Sequence, residues 1–284
     1  MNLSVKNKYN EEIYPKKSIL DVNIKEIYQF KDLLFLFVKR DFISIYKQTI
    51  LGPLWFFIQP ILTTIIFTVV FGRFAGLPTD GIPQVLFYLA GITCWNYFAE
   101  CLTKTSNTFI DNQNIFGKVY FPRIISPLSI VLSSLIKFGI QFLLFLCLYF
   151  YYFFVHNSIH PNITLFLLPF LIVLMGLLSL GLGMIISSLT TKYRDLRFLI
   201  QFGVQLWMYV TPIIFPLSSL SGKMKILAVL NPMTSIIETF KFSFLSAGTF
   251  NWIYLGYSTL VTLIILLIGI LIFNKTEQYF IDTV

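Results

Sequence analysis

From Leu51 to Phe71 the chain carries no Asp, Glu, Lys or Arg. At ~1.5 Å per helical residue this run reaches ~31 Å, the thickness of a bilayer's hydrocarbon core. A water-facing helix of that length needs a charged face, so the stretch commits the chain to a membrane. Lys39, Arg40 and Lys47 stand just before it, where a cytoplasmic anchor belongs. Pro53, Gln59 and Pro60 interrupt the apolar pattern. A proline removes a backbone donor and frees a carbonyl, which in lipid needs a partner or a cavity wall. Gly and Pro are also commoner in membrane helices generally, and the span alone leaves both readings open.

The pattern repeats along the chain. Of 284 residues, 56% are hydrophobic and 12% charged, where a soluble domain carries about 25% charged residues. The net charge of +8 comes from Lys and Arg that flank apolar runs, so it reads as a topology signal and not as a nucleic-acid surface. The expected fold is an all-α polytopic membrane protein with six transmembrane helices, at about 51–71, 84–103, 124–155, 163–189, 198–215 and 252–273. A polar extension (1–21) and an amphipathic interface helix (22–47) precede the 48–273 transmembrane domain. The helix is read from Ile24, Ile27, Phe30, Leu34, Val38, Phe42 and Ile45, which recur on one helical face. Residues 274–284 form a cytoplasmic tail. Sixteen of the 21 Lys and Arg fall in the segments this topology puts inside. Four, Arg73, Lys223, Lys225 and Lys241, fall outside, so both termini are expected in the cytoplasm. The first thirty residues have no apolar core region, and no cleaved signal peptide is expected.

Four stretches depart from plain spans. The run 124–155 would be ~48 Å long as a helix. It either tilts strongly or starts with turns in the cytoplasm, with Lys137 snorkelling at the inner boundary. Glu100 and Lys104 form an i,i+4 pair at the end of the second span. The connector 104–123 should hold a short helix around Asn107–Phe116, a break near Gly117 and a new helix opening at Pro122. Between 216 and 250, the segments Lys225–Leu230 and Met233–Leu245 are too short to cross, and they read as re-entrant half-helices parted by Asn231-Pro232. Gly176, Ser179, Gly181 and Gly183 offer a small-residue face for close packing. The fifth span carries Gln201, Gln205, Trp207, Tyr209 and Pro212, which are costly toward lipid and should face protein or water. An Arg-Asp followed by Trp-x4-Pro occurs twice, at Arg40-Asp41 with Trp55–Pro60 and at Arg194-Asp195 with Trp207–Pro212.

Chemistry of its own is missing. No G-x-x-x-x-G-K-[ST] and no H-E-x-x-H occurs, and no carboxylates pair within the spans. His156 and His160 are four apart but lack further ligands nearby. Cys94, Cys101 and Cys147 sit in apolar runs as small buried hydrophobes. The chain is therefore expected to bind no metal or cofactor and not to be an enzyme; a pathway without a motor suggests that another subunit supplies energy.

The run RDFISIYKQTILGPLWFFIQPILTTIIFTVVFG (40–72) closely resembles the first-span signature of polysaccharide-exporting ABC transporter permeases, those that export O antigen above all. Capsule and teichoic-acid exporters are close by. NIFGKVYFPRIISPL (114–128) resembles the same family's cytoplasmic connector, and KYRDLR (192–197) and NPMTSIIE (231–238) also fit. The likeness runs from about Asp32 to Phe273. It implies a permease for a lipid-linked polysaccharide in the bacterial inner membrane. It further implies a homodimer with two P-loop ATPase subunits, which bind the ATP and Mg, docked at the cytoplasmic face. Residues like Asn112, Gln113, Asn114, Ile115, Phe116 and Lys118 would form the coupling helix, with Arg40 and Lys47 beside it. The half-helices would sit at the outer end of the channel. Aromatic faces stack on sugar rings while amides and hydroxyls bind sugar OH groups, so Trp55, Phe56, Gln59, Gln205, Trp207 and Tyr209 are the candidate channel residues. Trp55 fits an interfacial belt equally well, and Trp207 fits dimer packing. The alternatives are a permease of this architecture for teichoic acid, capsule or a small molecule, or an integral-membrane transferase using His156 and His160.

Overall fold

A computed structural model describes residues 24–47, 50–156 and 159–283. The extension expected over 1–21 and the loop centre at 157–158 lie outside the described residues. In chain order the helices are α1 (Ile24–Gln29), α2 (Lys31–Tyr46), α3 (Trp55–Phe67), α4 (Gln84–Thr105), α5 (Thr108–Asp111), α6 (Gln113–Phe116), α7 (Ile125–His156), α8 (Leu168–Lys192), α9 (Leu196–Val210), α10 (Gly222–Leu230), α11 (Pro232–Leu245) and α12 (Trp252–Thr283). No described residue is in a strand.

The bundle is built around α4. Fifteen of its 22 residues are buried, so its apolar side chains run all round because protein surrounds them on every side. α3, α7, α8, α9 and α11 pack directly on it, and α12 lies along α8. The α8–α12 contact is backbone against backbone. A methyl group at Gly181 would sit 2.8 Å from Leu266 Cα, and one at Gly269 would sit 3.0 Å from Gly181 Cα. The small-residue face read from the sequence is what lets these two helices touch.

Five helical stretches are long and apolar enough to cross a membrane: Gly52–Phe74, Gln84–Thr105, Ile125–Val155, Ile163–Lys192 and Trp252–Gln278. The expected span 198–215 is not one of them. Its helix, α9, has 15 residues, ~22 Å, and stops at Val210. Pro212 cannot donate back to residue 208. Thr211 turns extended (φ −87°, ψ 143°), and its hydroxyl donates to the Trp207 carbonyl at 2.8 Å, which closes the helix end.

The two ends of the bundle differ. At the proximal end α1, α2, the 106–124 connector and the last turns of α12 meet. A second apolar core forms there from Phe37, Phe109, Phe116, Phe121, Ile125, Leu180, Met184 and Phe273. The interface helix expected over 22–47 is broken at Phe30 into α1 and α2. Its buried face runs through Leu33, Leu34 and Phe37, about one position round from the face expected. Phe37 meets Phe121 edge-on at 5.6 Å. At the distal end lie the 75–83 turn, the 159–162 segment, the unwound 211–221 stretch, α10 and α11.

Candidate functional site

The connector is two four-residue helices, α5 and α6, where one was expected. They part at Asn112, whose backbone (φ −108°, ψ 13°) is not helical. Its side chain is buried and donates to the Thr108 carbonyl at 2.9 Å and to Ser126 Oγ at 3.0 Å, which ties the connector to the first turn of α7. That helix starts at Ile125, three residues after Pro122. Phe116 is also turned inward, edge-on to Phe109 and Phe121 at 5.9 and 5.7 Å. Two of the residues expected to dock an ATPase therefore hold the connector together instead. The outward surface consists of Asn114, Lys118, Val119 and Tyr120, with Gln113 and Ile115 half-buried beside it.

Every neighbouring element is fastened to this connector. Tyr120 donates to Glu26 of α1 at 3.3 Å. Asp111 pairs with Arg197 at the start of α9 across 3.6 Å. Burial pushes the Asp111 carboxyl up and Arg197 opposes the shift. Arg123 donates to the Glu277 carbonyl of α12 at 2.9 Å, and Phe109 stacks on Phe273 at 4.6 Å. Thr190 of α8 donates to the Ser106 carbonyl at 2.9 Å. A push on the connector is thus felt by α1, α7, α8, α9 and α12 at once. Arg40 pairs with Asp41 at 2.8 Å and lies 4.5 Å from the Phe37 ring centroid; Lys47 is exposed one residue beyond α2.

The candidate channel residues divide between two exposed faces. On α3, Phe56, Pro60, Thr64 and Phe67 are buried, leaving Trp55 and Gln59 on the opposite side with Leu62 and Ile66. Phe56 itself faces inward, stacked on Phe42 at 6.3 Å. On α9 only Val204 is buried. Gln205 and Tyr209 are exposed with Phe198, Phe202 and Leu206. Trp207 is half-buried and packs edge-on against Trp95 and Phe98 of α4, at 6.3 and 5.4 Å. Both α3 and α9 therefore lean on α4 through aromatic contacts and expose mixed aromatic and amide surfaces.

The spans hold more charge than the sequence reading allowed. Lys137 does not snorkel. It is 9% exposed, its ammonium pairs with Glu100, and it lies 5.4 Å from the Phe56 ring centroid. Glu100 makes the expected pair with Lys104 at 2.6 Å, and Asn96 donates to Gln141 at 3.2 Å one turn above. In lipid a lysine that finds a carboxylate gains more from pairing than from stretching to the surface. A second buried pair was counted as an outer-loop charge or overlooked. Glu238 and Lys241 of α11 are each 1% exposed. Lys241 donates to the Pro212 carbonyl at 2.7 Å and sits 3.5 Å from the Phe87 ring centroid. Glu238 accepts from the Thr249 amide at 3.2 Å. Gly248, at φ +103°, makes the turn that brings this amide in, and a side chain there would press on the carboxylate. The signal available in the sequence was a Glu and a Lys three apart inside an otherwise apolar segment. Cys147 is exposed on α7, unlike buried Cys94 and Cys101, because α7 turns that side away from α4.

Residues 32–245 match the ABC-2 type transporter family. The chain belongs to that family. It is similar to two proteins of Klebsiella pneumoniae, each an O-antigen export system permease protein RfbA. Each is 28% identical to it, across 88% of this chain and 94% of its own length. It is also 26% identical to the O-antigen export system permease protein RfbA of Myxococcus xanthus, across 77% of this chain and 82% of that protein. An ABC-2 membrane chain is a transport subunit and is not itself catalytic. The match to the family ends at Leu245, the last residue of α11, so the buried Glu238 and Lys241 fall within the shared region. The aromatic and amide faces of α3 and α9 also fall within it.

Proposed function

We propose that this chain is the membrane permease of an ATP-driven exporter that moves a lipid-linked polysaccharide, O antigen or a similar glycan, across the bacterial inner membrane. The observation that carries the reading is similarity along nearly the whole chain to permeases named for O-antigen export. The exposed surfaces fit it: rings at Trp55 and Tyr209 and amides at Gln59 and Gln205 give sugar units stacking planes and hydrogen bonds without one deep well. Phe56 and Trp207 back these faces from inside. A polymer that must slide needs many shallow contacts of this kind.

In this reading two copies pair with α3 and α9 toward a shared pathway, which covers the apolar surface a single chain leaves open on α9. Two P-loop ATPase subunits dock at the proximal end on Asn114 and Lys118–Tyr120, with Arg40 and Lys47 near the membrane surface, and they hold the ATP and Mg. Both termini are cytoplasmic, as the Lys and Arg bias demands. α9 with the unwound 211–215 stretch is the sixth crossing. α10 and α11 form the re-entrant pair that closes the outer end.

The test is co-purification and export. The tagged chain, extracted in mild detergent, should carry a stoichiometric P-loop ATPase, and its deletion should remove a glycan from the cell surface. A chain that purifies alone, with unchanged surface glycan in the deletion strain, would overturn the reading.

A further inference from the structure

At Thr68 the α3 helix changes character. Thr68–Phe74 is π-helical, a conformation that costs hydrogen-bond geometry and recurs at functional sites. It is locked in place: Gln84 Nε2 donates to the Gly72 carbonyl at 3.1 Å. A methyl group at position 72 would come within 2.6 Å of Gln84 Cδ. The end of the first span is thereby pinned to the start of α4.

Beside this lock lies an open polar depression of about 520 Å³, within the size range of small-ligand sites. Thr68, Arg73, Thr79 and Gln84 line it, with Ile82 and Pro83 as an apolar floor. The hydroxyl protons are committed. Thr68 donates to the Thr64 carbonyl at 2.8 Å and Thr79 to the Ile82 carbonyl at 2.7 Å, so toward the depression both oxygens act as acceptors. Arg73 is exposed, and among the described residues it makes no hydrogen bond, ion pair or ring contact. The other cations of the spans and their margins are engaged: Lys104 and Lys137 with Glu100, Arg123 with the Glu277 carbonyl, Lys241 with the Pro212 carbonyl.

A forked donor, two fixed acceptors and an apolar floor are what a sugar ring offers partners for: hydroxyls that accept from Arg, hydroxyls that donate to Thr, and a C–H face. We propose that Arg73, Thr68, Thr79 and Gln84 form an exit subsite that holds one hydroxyl-rich sugar residue of the glycan at the distal end of the pathway. The inference rests on the export reading and adds a site to it. The rigid Gly72–Gln84 lock is what keeps the subsite's two walls in register.

The test compares wild type, Arg73→Met and Arg73→Lys in a strain deleted for the chain. Surface glycan is measured in cells. Saturation-transfer NMR follows the delipidated glycan, released from the native host by mild acid, against the purified transporter in nanodiscs. Losing a charge-assisted fork should lower export and transfer by at least about five-fold in Arg73→Met. Lys, a point donor, should recover only part of it. If deletion leaves the surface glycan unchanged, the export reading falls. If deletion removes it but Arg73→Met exports and binds as wild type, the subsite alone falls. If Arg73→Lys restores everything and the Met defect appears only in nanodiscs containing phosphatidylglycerol, Arg73 grips lipid phosphate and the subsite is refuted.

Discussion

Replacing Lys241 by Met keeps the side-chain length and removes the ammonium. In the native chain that ammonium is 1% exposed, 2.7 Å from the Pro212 carbonyl and 3.5 Å from the Phe87 ring centroid. Its loss forfeits a charge-assisted hydrogen bond of about 1.5–3 kcal/mol and a desolvated cation–π contact of about 2 kcal/mol. It also strands Glu238, one turn away, as a buried carboxylate without its cation. Against this stands the desolvation cost that a buried ammonium no longer incurs. Breaking a buried pair by removing one partner costs about 3–5 kcal/mol net, and that is the expected loss. By the scaling of soluble domains, the melting temperature in detergent should fall by roughly 6–20 °C. The carbonyl held by Lys241 belongs to the unwound stretch after α9, so export should fall as well. The sharper assay is a double-mutant cycle with Glu238→Gln. Neutralising both groups should recover about 1–3 kcal/mol relative to additivity. A Lys241→Met protein that melts within 1 °C of wild type, or a double mutant whose losses simply add, would refute the reasoning.

Four further outcomes are expected. Lys118→Glu or Val119→Asp should leave the melting temperature unchanged and abolish glycan-stimulated ATP hydrolysis in the reconstituted complex, because both side chains face outward; normal stimulation in both would remove the docking assignment. Phe116→Ala should cost about 3–5 kcal/mol of stability, seen as a lower melting temperature, because the ring fills the proximal core. Glu100→Gln leaves Lys137 buried beside a neutral amide and should destabilise by about 3 kcal/mol; pairing it with Lys137→Met should restore much of the loss, measured by thermal unfolding. Gly181→Leu should force α8 from α12 and abolish expression of folded protein, whereas Gly203→Ala, in open space on α9, should be neutral by size-exclusion chromatography.

How much could be read from the sequence depended on whether the signal was local. An uncharged run such as Leu51–Phe71 must be helical in lipid because every backbone group needs an internal partner. Five of the six expected crossings, and the two short helices parted by Asn231-Pro232, were therefore written in composition and proline placement. The end of α9 at Val210 was written too, in Pro212, but the apolar run to Phe215 outweighed it. Direction was not local. Nothing in NQNIF says that Asn112 reaches Ser126 or that Phe116 packs between Phe109 and Phe121; those contacts exist because α7, α8 and α12 return to the same end of the bundle. The charges show the same division. Glu100 with Lys104 lies within one helix turn and was legible. Glu100 with Lys137 joins residues 37 apart, and Lys241 with Pro212 joins residues 29 apart. Composition alone determined that this chain lives in a membrane, because burying or exposing apolar surface depends on residue type. Which charges are buried, which rings face inward and where Arg73 is left free were decided by tertiary packing, because a side chain's partner is set by the helix the fold lays against it.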